Sequence, residues 1–341
     1  MQVHYQLEKL PDFKNAAITI GSFDGLHLGH QQLIRRVNRL AASREGESVV
    51  ITFHPHPRQI VYPNDKSLRL LTSIKEKVAL FEQFRVDHLV IVPFTVEFSQ
   101  LSADEYIKDF LHRYFKPACI VIGYDHRFGL NRQGDINFLK WYGDQLDYEV
   151  IQIEPQEVAD ITVSSTKIRN ALIVGEIDNA NQLLGHRYQL TGKVVKGRQI
   201  GRTIGFPTAN IDVDNPYKLI PAEGIYAAQA RWGNQFLEGM LYIGQRPTLD
   251  DGRAQTIELN IFDFDHDLYG EELCIELVAF IRADRVLNGL DELKNQLAED
   301  ERACRTILAT QTSTIKKVDN YPDTAIVILN YNGKQFLEEF L

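Results

Sequence analysis

The chain has 341 residues, 44% of them hydrophobic and 24% charged, an ordinary soluble globular profile. That length suits about two domains, each with its own core. With 46 acidic against 37 basic residues the net charge is −9, which excludes a broadly basic nucleic-acid-binding surface but leaves room for a nucleotide pocket built on a few local bases. Cys119, Cys274 and Cys304 are scattered without a C-x-x-C pair, no basic-then-apolar leader opens the chain, and no apolar run reaches membrane-spanning length. The expected setting is a reducing cytoplasm, with neither membrane nor nucleic acid as a partner.

A short apolar run over 16–20 predicts a buried strand. It leads into Gly21-Ser22-Phe23-Asp24-Gly25-Leu26-His27-Leu28-Gly29-His30, after which Leu33, Ile34, Val37, Leu40 and Ala41 fall at helical spacing. A strand thus ends in a glycine-rich turn, and two histidines stand where a helix begins. Gly21, Gly25 and Gly29 let the backbone approach a ligand closely. The helix N-terminus attracts phosphate, and His27 and His30, three residues apart, face the same anion. The G-x-G-x-x-G spacing of a dinucleotide fold is missing, and no third ligand stands near the histidines at a usual zinc spacing. An isolated His-x-x-His is more often a simple helix cap; strand, turn and three glycines together favour a site that steadies a transferring phosphate.

Apolar runs at 49–53, 88–94, 118–123 and 148–153 alternate with helical patterns. Ser73 with Glu76 opens one as a capping box, and Ser102 with Glu105 opens another. The aromatic stripes within these helices read as core. Such βαβα alternation predicts an α/β fold with a doubly wound parallel sheet, whose ligands bind beyond the carboxyl ends of the strands. Phe53-His54-Pro55-His56-Pro57-Arg58 falls at one such end and is expected to be non-helical, because each proline pushes its predecessor to an extended shape. Gly123 to Gly129 falls at another and offers Asp125, His126 and Arg127, with Arg127 suited to a phosphate. Val163-Ser164-Ser165-Thr166-Lys167-Ile168-Arg169 then places hydroxyl caps and two bases at a helix start, a set suited to a triphosphate.

After Leu184-Gly185-His186-Arg187 the pattern changes from helical to strand-like. Runs at 188–195, 224–232, 236–243, 255–263 and 273–281 are separated by turn residues, which predicts a compact antiparallel barrel. A helix is expected over about 290–309. The stretch from Gly192 to Asn210 is glycine-rich and basic, carrying Lys193, Gly197, Gly201 and Arg202. It lacks Gly-Lys-Ser/Thr and so is not a Walker loop, and its charges rule out a membrane helix-packing motif. Its backbone N–H groups suit phosphate; the plain alternative is a hairpin with solvated charges.

These motifs together resemble the bacterial bifunctional riboflavin kinase/FMN adenylyltransferase (FAD synthetase) family, over residues 1 to about 309. The first stretch matches its Gly-x-Phe-Asp-Gly-x-His-x-Gly-His form, within the His-x-Gly-His signature of nucleotidyltransferases. The resemblance implies a Rossmann-like nucleotidyltransferase domain over 1–184 and a riboflavin kinase β-barrel over 185–310. It implies that His27 and His30 act in adenylyl transfer, with Gly21, Phe23, Asp24, Gly25, Gly29, Ser164, Ser165, Thr166 and Arg169 around the ATP phosphates. It puts His56, Pro57, Asp125, Arg127 and Arg282 near flavin or nucleotide; some members carry Asn where this chain has Asp125. In the barrel it implies that Gly192, Lys193, Gly197, Gly201 and Arg202 hold phosphates. Thr208 and Asn210, of the Pro-Thr-Ala-Asn motif, would hold Mg²⁺, and Glu258 would serve as general base, although Ile257 and Asn260 depart from the commonest neighbours. ATP, riboflavin and FMN are the implied substrates, and no protein partner is implied.

The rival readings are another nucleotidyltransferase and a flavin- or nucleotide-binding regulator that has lost catalysis. The barrel motifs at 192–210 and 256–270 argue against the first, and the intact His27, His30 and Glu258 against the second. Residues 311–341 extend past the resemblance; Ala325 to Gly333 is similar to the opening strand and turn of a family 2 glycosyltransferase, cut short, and no function is assigned to it.

Overall fold

The short Val/Ile-rich runs of the first half form a parallel sheet buried on both faces. The computed structural model describes residues 1–154, 157–158, 161–197, 201, 204–213, 215–245, 255–286 and 289–316. In chain order come β1 (Gln2–His4), β2 (Ala17–Ile20), α1 (Leu28–Ser43), β3 (Ser48–His54), α2 (Pro57–Val61), α3 (Ile74–Gln83) and β4 (His88–Pro93). Two short helices follow, α4 (Val96–Ser99) and α5 (Ala103–Glu105). The latter continues through a π-helical turn (Tyr106–His112) into α6 (Arg113–Phe115). Then come β5 (Cys119–Gly123), α7 (Ile136–Leu146) and β6 (Glu149–Ile153). Every pairing is parallel, in the order β1-β4-β3-β2-β5-β6. The order reverses beside β2, so the loop leaving β2 opens at the sheet's switch point. Val49, Val50 and Ile51 of β3 are fully buried, as a strand covered on both faces requires.

Both expected capping boxes form. Ser73 caps α3 and Ser102 caps α5, each with its glutamate returning a bond to the cap backbone. The His-Pro-His-Pro stretch needs a correction. His54 to His56 are non-helical, but Pro57 is the first residue of α2 and His56 its cap, because a proline at N1 has no N–H to lose.

A small hairpin, β7 (Glu157–Val158) and β8 (Ile161–Thr162), precedes α8 (Ser165–Ile173) and α9 (Ile177–Leu184). The second half is a closed antiparallel barrel of β9 (Tyr188–Val195), β10 (Ala209–Asp212), β11 (Gly224–Trp232), β12 (Gln235–Gln245), β13 (Gln255–Ile261) and β14 (Glu272–Ala283), in the order β10-β13-β12-β11-β14-β9. The final helix, α10 (Leu290–Lys316), buries Cys304 and Leu308 against β11 and β12. It runs beyond the expected end near 309; residues 317–341, with the glycosyltransferase-like stretch, lie outside the described residues.

The change of period at 184–187 marks where helices give way to strands, but packing runs across it. Ile168, Leu172, Ile177, Leu183 and Leu184 of α8 and α9 share one apolar core with barrel residues such as Leu190, Tyr226 and Leu277. The seam between the halves is polar and specific. Leu70 N–H donates to the Tyr217 carbonyl at 2.6 Å, and Leu219 N–H to the Leu70 carbonyl at 2.8 Å. Beneath them the Lys218 ammonium sits 2.6 Å from the Glu76 carboxylate, each side chain only 1% exposed. Glu76 also accepts the Thr191 N–H at 2.8 Å, and Lys218 Nζ lies 4.4 Å from the Tyr188 ring centroid.

Candidate active site

Two helix starts meet at the carboxyl end of β2. The turn joining β2 to α1 is tightly coiled: Phe23, Gly25 and Leu26 have φ of +46°, +84° and +42°. Left-handed backbone at two residues with side chains is held only where the surroundings impose it. Here Gly25 N–H donates to Thr72 Oγ1 at 3.1 Å, and His186 Nε2 lies 2.9 Å from the Gly25 carbonyl. A Cβ on Gly25 would stand 2.7 Å from Leu71 Cδ1.

His27 is the N-cap of α1. Its Nδ1 accepts the His30 N–H at 3.4 Å, and the two imidazoles stack with centroids 3.6 Å apart. Burial pushes His27 down to about 4 and His30 well below its ordinary value, so both are neutral near pH 7. A neutral imidazole still donates one N–H. His30 Nδ1 is buried without a hydrogen-bond partner among the described residues.

Asp24 organises the turn. Its Oδ1 accepts the N–H groups of Leu71 at 2.9 Å and Thr72 at 3.1 Å, and its Oδ2 pairs with the Arg169 guanidinium. The buried carboxylate therefore locks the turn to the 70–72 segment and to α8. Ser165 Oγ donates to the Asp24 carbonyl at 2.9 Å, Ser164 caps α8, and Thr166 is exposed beside them. Gly29 lies in the first turn of α1. The sequence-derived set Gly21 to His30 and Ser164 to Arg169 is thus one assembly.

A cleft of about 450 Å³ adjoins this assembly, walled by Asp24, His54, His56, Thr72 and Lys77 on one side and by Thr191, Gly192, Tyr217 and Lys218 of the barrel half on the other. Burial pushes His56 down to about 4. Pro57 starts α2 just behind it. Lys77 went unnoticed in the sequence, although it occupies the apolar stripe of α3, three residues after Ile74 and four before Phe81. Asp125 and Arg127 are exposed on the loop after β5 and are not part of the cleft wall; Arg127 pairs with Asp135 at 3.1 Å.

The barrel gathers a second cluster, away from the cleft wall. Asn210 of β10 stands opposite Glu258 of β13 in register, and Thr208 Oγ1 lies 3.0 Å from Glu258 Oε2. Asn260 Nδ2 donates to the Pro207 carbonyl at 2.7 Å, pinning the Pro-Thr-Ala-Asn segment to β13. Gly197 approaches so closely that a Cβ there would lie 2.1 Å from Asn210 Nδ2; at Gly201 a Cβ would lie 2.1 Å from the Phe206 carbonyl oxygen. Gly192 and Lys193 belong to β9, ahead of the glycine loop rather than within it. Arg202 lies outside the described residues. Arg282 is held by Asp300 of α10 through two bonds, Nε to Oδ1 at 2.9 Å and Nη2 to Oδ2 at 2.7 Å, and that carboxylate raises its pKa further.

A parallel sheet with a histidine-bearing turn at its switch point is thus joined to a barrel that holds a hydroxyl, an amide and a carboxylate together. The family model described as FAD synthetase matches residues 9–167, and that described as riboflavin kinase matches residues 184–308. A bifunctional riboflavin kinase/FMN adenylyltransferase of Listeria monocytogenes is 37% identical over 295 residues, covering 86% of this chain and 93% of that protein. Its Escherichia coli counterpart is 33% identical over 302 residues, covering 88% and 95%. A solved structure from Streptococcus pneumoniae, described as a macrolide-efflux protein, is 30% identical with a TM-score of 0.81 and covers 89% of this chain and 99% of its own. No helix among the described residues of the present chain is long and apolar enough to cross a membrane. The chain belongs to the bifunctional riboflavin kinase/FMN adenylyltransferase family: with ATP it phosphorylates riboflavin to FMN and adenylylates FMN to FAD.

Proposed function

We propose that the two reactions are divided between the two clusters, adenylyl transfer at the 21–30 turn and riboflavin phosphorylation at Glu258. The observation that carries the first is the neutral, stacked His27/His30 pair at the start of α1, with an unpartnered nitrogen on His30. A phosphate oxygen of FMN attacks the α-phosphorus of ATP, and the bond to pyrophosphate breaks. Charge grows on the transferring phosphate and the leaving group. Neutral imidazole N–H donors, the amides opening α1 and the Ser164–Arg169 helix start offset that growth without a covalent intermediate. Asp24 acts by holding the turn and Arg169 in place, since both its oxygens are engaged by the protein.

In the barrel, the 5′-hydroxyl oxygen of riboflavin attacks the γ-phosphorus of ATP, ADP leaves, and Glu258 takes the hydroxyl proton. The Thr208 hydroxyl, 3.0 Å away, orients that carboxylate. The hard oxygens of Thr208 and Asn210 suit Mg²⁺ completed by phosphate oxygens and water, and the bare Gly197 leaves the Asn210 amide uncrowded. When bound, the cation neutralises phosphate charge. Arg282, Asp125 and Arg127 we assign to the flavin sites only through the family likeness. Unpaired Cys119, Cys274 and Cys304 support a cytoplasmic enzyme whose partners are ATP, riboflavin and FMN.

The test is a pair of variants, each assayed for both products. His30→Ala should lower FAD formation by on the order of 100-fold or more while FMN formation persists. Glu258→Ala should do the reverse when FMN is supplied. Loss of both activities in either folded variant refutes the division.

A further inference from the structure

Lys77 carries a charge that the phosphate turn does not account for. Its Nζ donates to the Ser22 carbonyl at 2.6 Å and lies 3.4 Å from the Thr52 hydroxyl. An ammonium has three N–H donors, so one is left over. Among the described residues no carboxylate lies within ion-pairing distance; Asp24, the acid whose charge it feels, is engaged by Arg169. Burial pulls its pKa down to about 8, a cost that the charge of Asp24 offsets only in part.

Its position is as telling as its isolation. Lys77 is part of the cleft wall with His54, His56 and Thr72, and its charge acts on His54 and His56 as well as on His30. The ammonium therefore stands near the histidine pair of α1, and Lys77 lines a space of about 450 Å³, large enough for a small aromatic cofactor. The carboxylates that line the cleft, Asp24, Glu76 and Glu272, are engaged by Arg169, Lys218 and Lys75.

We propose that the Lys77 ammonium receives the terminal phosphate of the flavin mononucleotide acceptor and lets the adenylylation site choose the phosphorylated flavin over riboflavin. The proposal rests on the assignment of adenylyl transfer to the 21–30 turn and adds its acceptor subsite. A phosphate dianion supplies a direct counter-charge through a charge-assisted N–H···O⁻ bond. The same contact sets the nucleophilic oxygen beside the imidazoles. Riboflavin, without that phosphate, leaves the buried cation unsatisfied.

The full chain is tested with Lys77→Met and Lys77→Arg, varying FMN and ATP separately and measuring riboflavin phosphorylation in parallel. Met keeps the linear stem, and its introduction breaks no ion pair. We expect Lys77→Met to raise KM for FMN by on the order of 10- to 100-fold, with KM for ATP and riboflavin phosphorylation unchanged. Lys77→Arg should recover part of the loss. Riboflavin, tested as an inhibitor of FAD formation, should compete against FMN far better in Lys77→Met than in the parent. An unchanged KM for FMN overturns the proposal. So does a fall in kcat alone, or an equal loss of both activities in Met and Arg variants. His30→Ala keeps the two readings apart: retained FAD formation there sinks the site assignment itself, whereas its loss beside an unmoved Lys77→Met sinks only the role of Lys77.

Discussion

Replacing Lys218 by Met should destabilise the protein severely, and replacing its partner as well should restore part of the loss. Lys218 and Glu76 lie 2.6 Å apart, each 1% exposed. At an effective dielectric of 20 their gross attraction is about 6 kcal/mol, against a desolvation cost of several kcal/mol per ion. The net value of the pair is therefore small. Removing one partner strands the other. In Lys218→Met the Glu76 carboxylate keeps the Ser73 and Thr191 N–H groups, at 2.8 Å each, but loses its counter-ion. The cost is about 3–5 kcal/mol. Glu76→Gln with Lys218→Met removes both charges, but Ser73 N–H bonds Oε2 and Thr191 N–H bonds Oε1, so the single amide oxygen keeps only one of them and the amide NH2 faces the other. That double variant should recover part of the Lys218→Met loss, since no charge is stranded, and stay about 1–3 kcal/mol below the parent for the N–H left without an acceptor. Urea unfolding of the parent, both singles and the double gives the coupling directly. Additive single losses, or a Lys218→Met loss below about 1 kcal/mol, the range of surface ion pairs, would refute a desolvated pair at the seam.

Gly197→Ala should reduce FMN formation by at least an order of magnitude, as expected when phosphate-site geometry is displaced, because the new Cβ would lie 2.1 Å from Asn210 Nδ2; FAD formation from supplied FMN should persist. Acid should destabilise the fold from below about pH 6.5. His27, His56 and His126 have folded values near 4, below the ordinary 6.5, each mainly through burial. The unfolded chain protonates first, so their contribution is complete above about pH 6.5 and is lost as pH falls toward 4. Each steepens the loss by up to about 1.4 kcal/mol per pH unit. Thermal melts across that window check it; a Tm flat from neutrality down to about pH 5 contradicts buried neutral imidazoles.

Local signals carried most of the fold. Val49 to Phe53 reads as a strand because both faces of a parallel sheet are apolar, and Ser73 with Glu76 marks a helix start because the cap bonds are only three residues apart. Where the outcome depended on distant partners, the sequence was silent. Gln2–His4 is a strand only because β4 offers it an edge. The π-helical turn at 106–112 alters backbone bonding within a stripe whose aromatic spacing still looks helical. The candidate site divides in the same way. The histidine turn and the 164–169 helix start were legible as motifs, but the bond from Ser165 to the Asp24 carbonyl joins segments 141 residues apart. The Glu76–Lys218 pair has no local signature at all. Lys77 had one, a lysine within an apolar helical stripe.

β10 is the shortest stave of the barrel, with four residues, and only two of them pair with β13. It also carries Asn210, with Thr208 just before it. The cylinder is therefore fastened where its ladder is thinnest, beside the Thr208–Asn210–Glu258 cluster. A ligand gripping that strand acts as a hoop. Its binding free energy adds to barrel closure, so amides of β9, β10 and β13 should exchange with deuterium more slowly when the kinase cluster is loaded than the longer β11–β14 ladder would by itself predict.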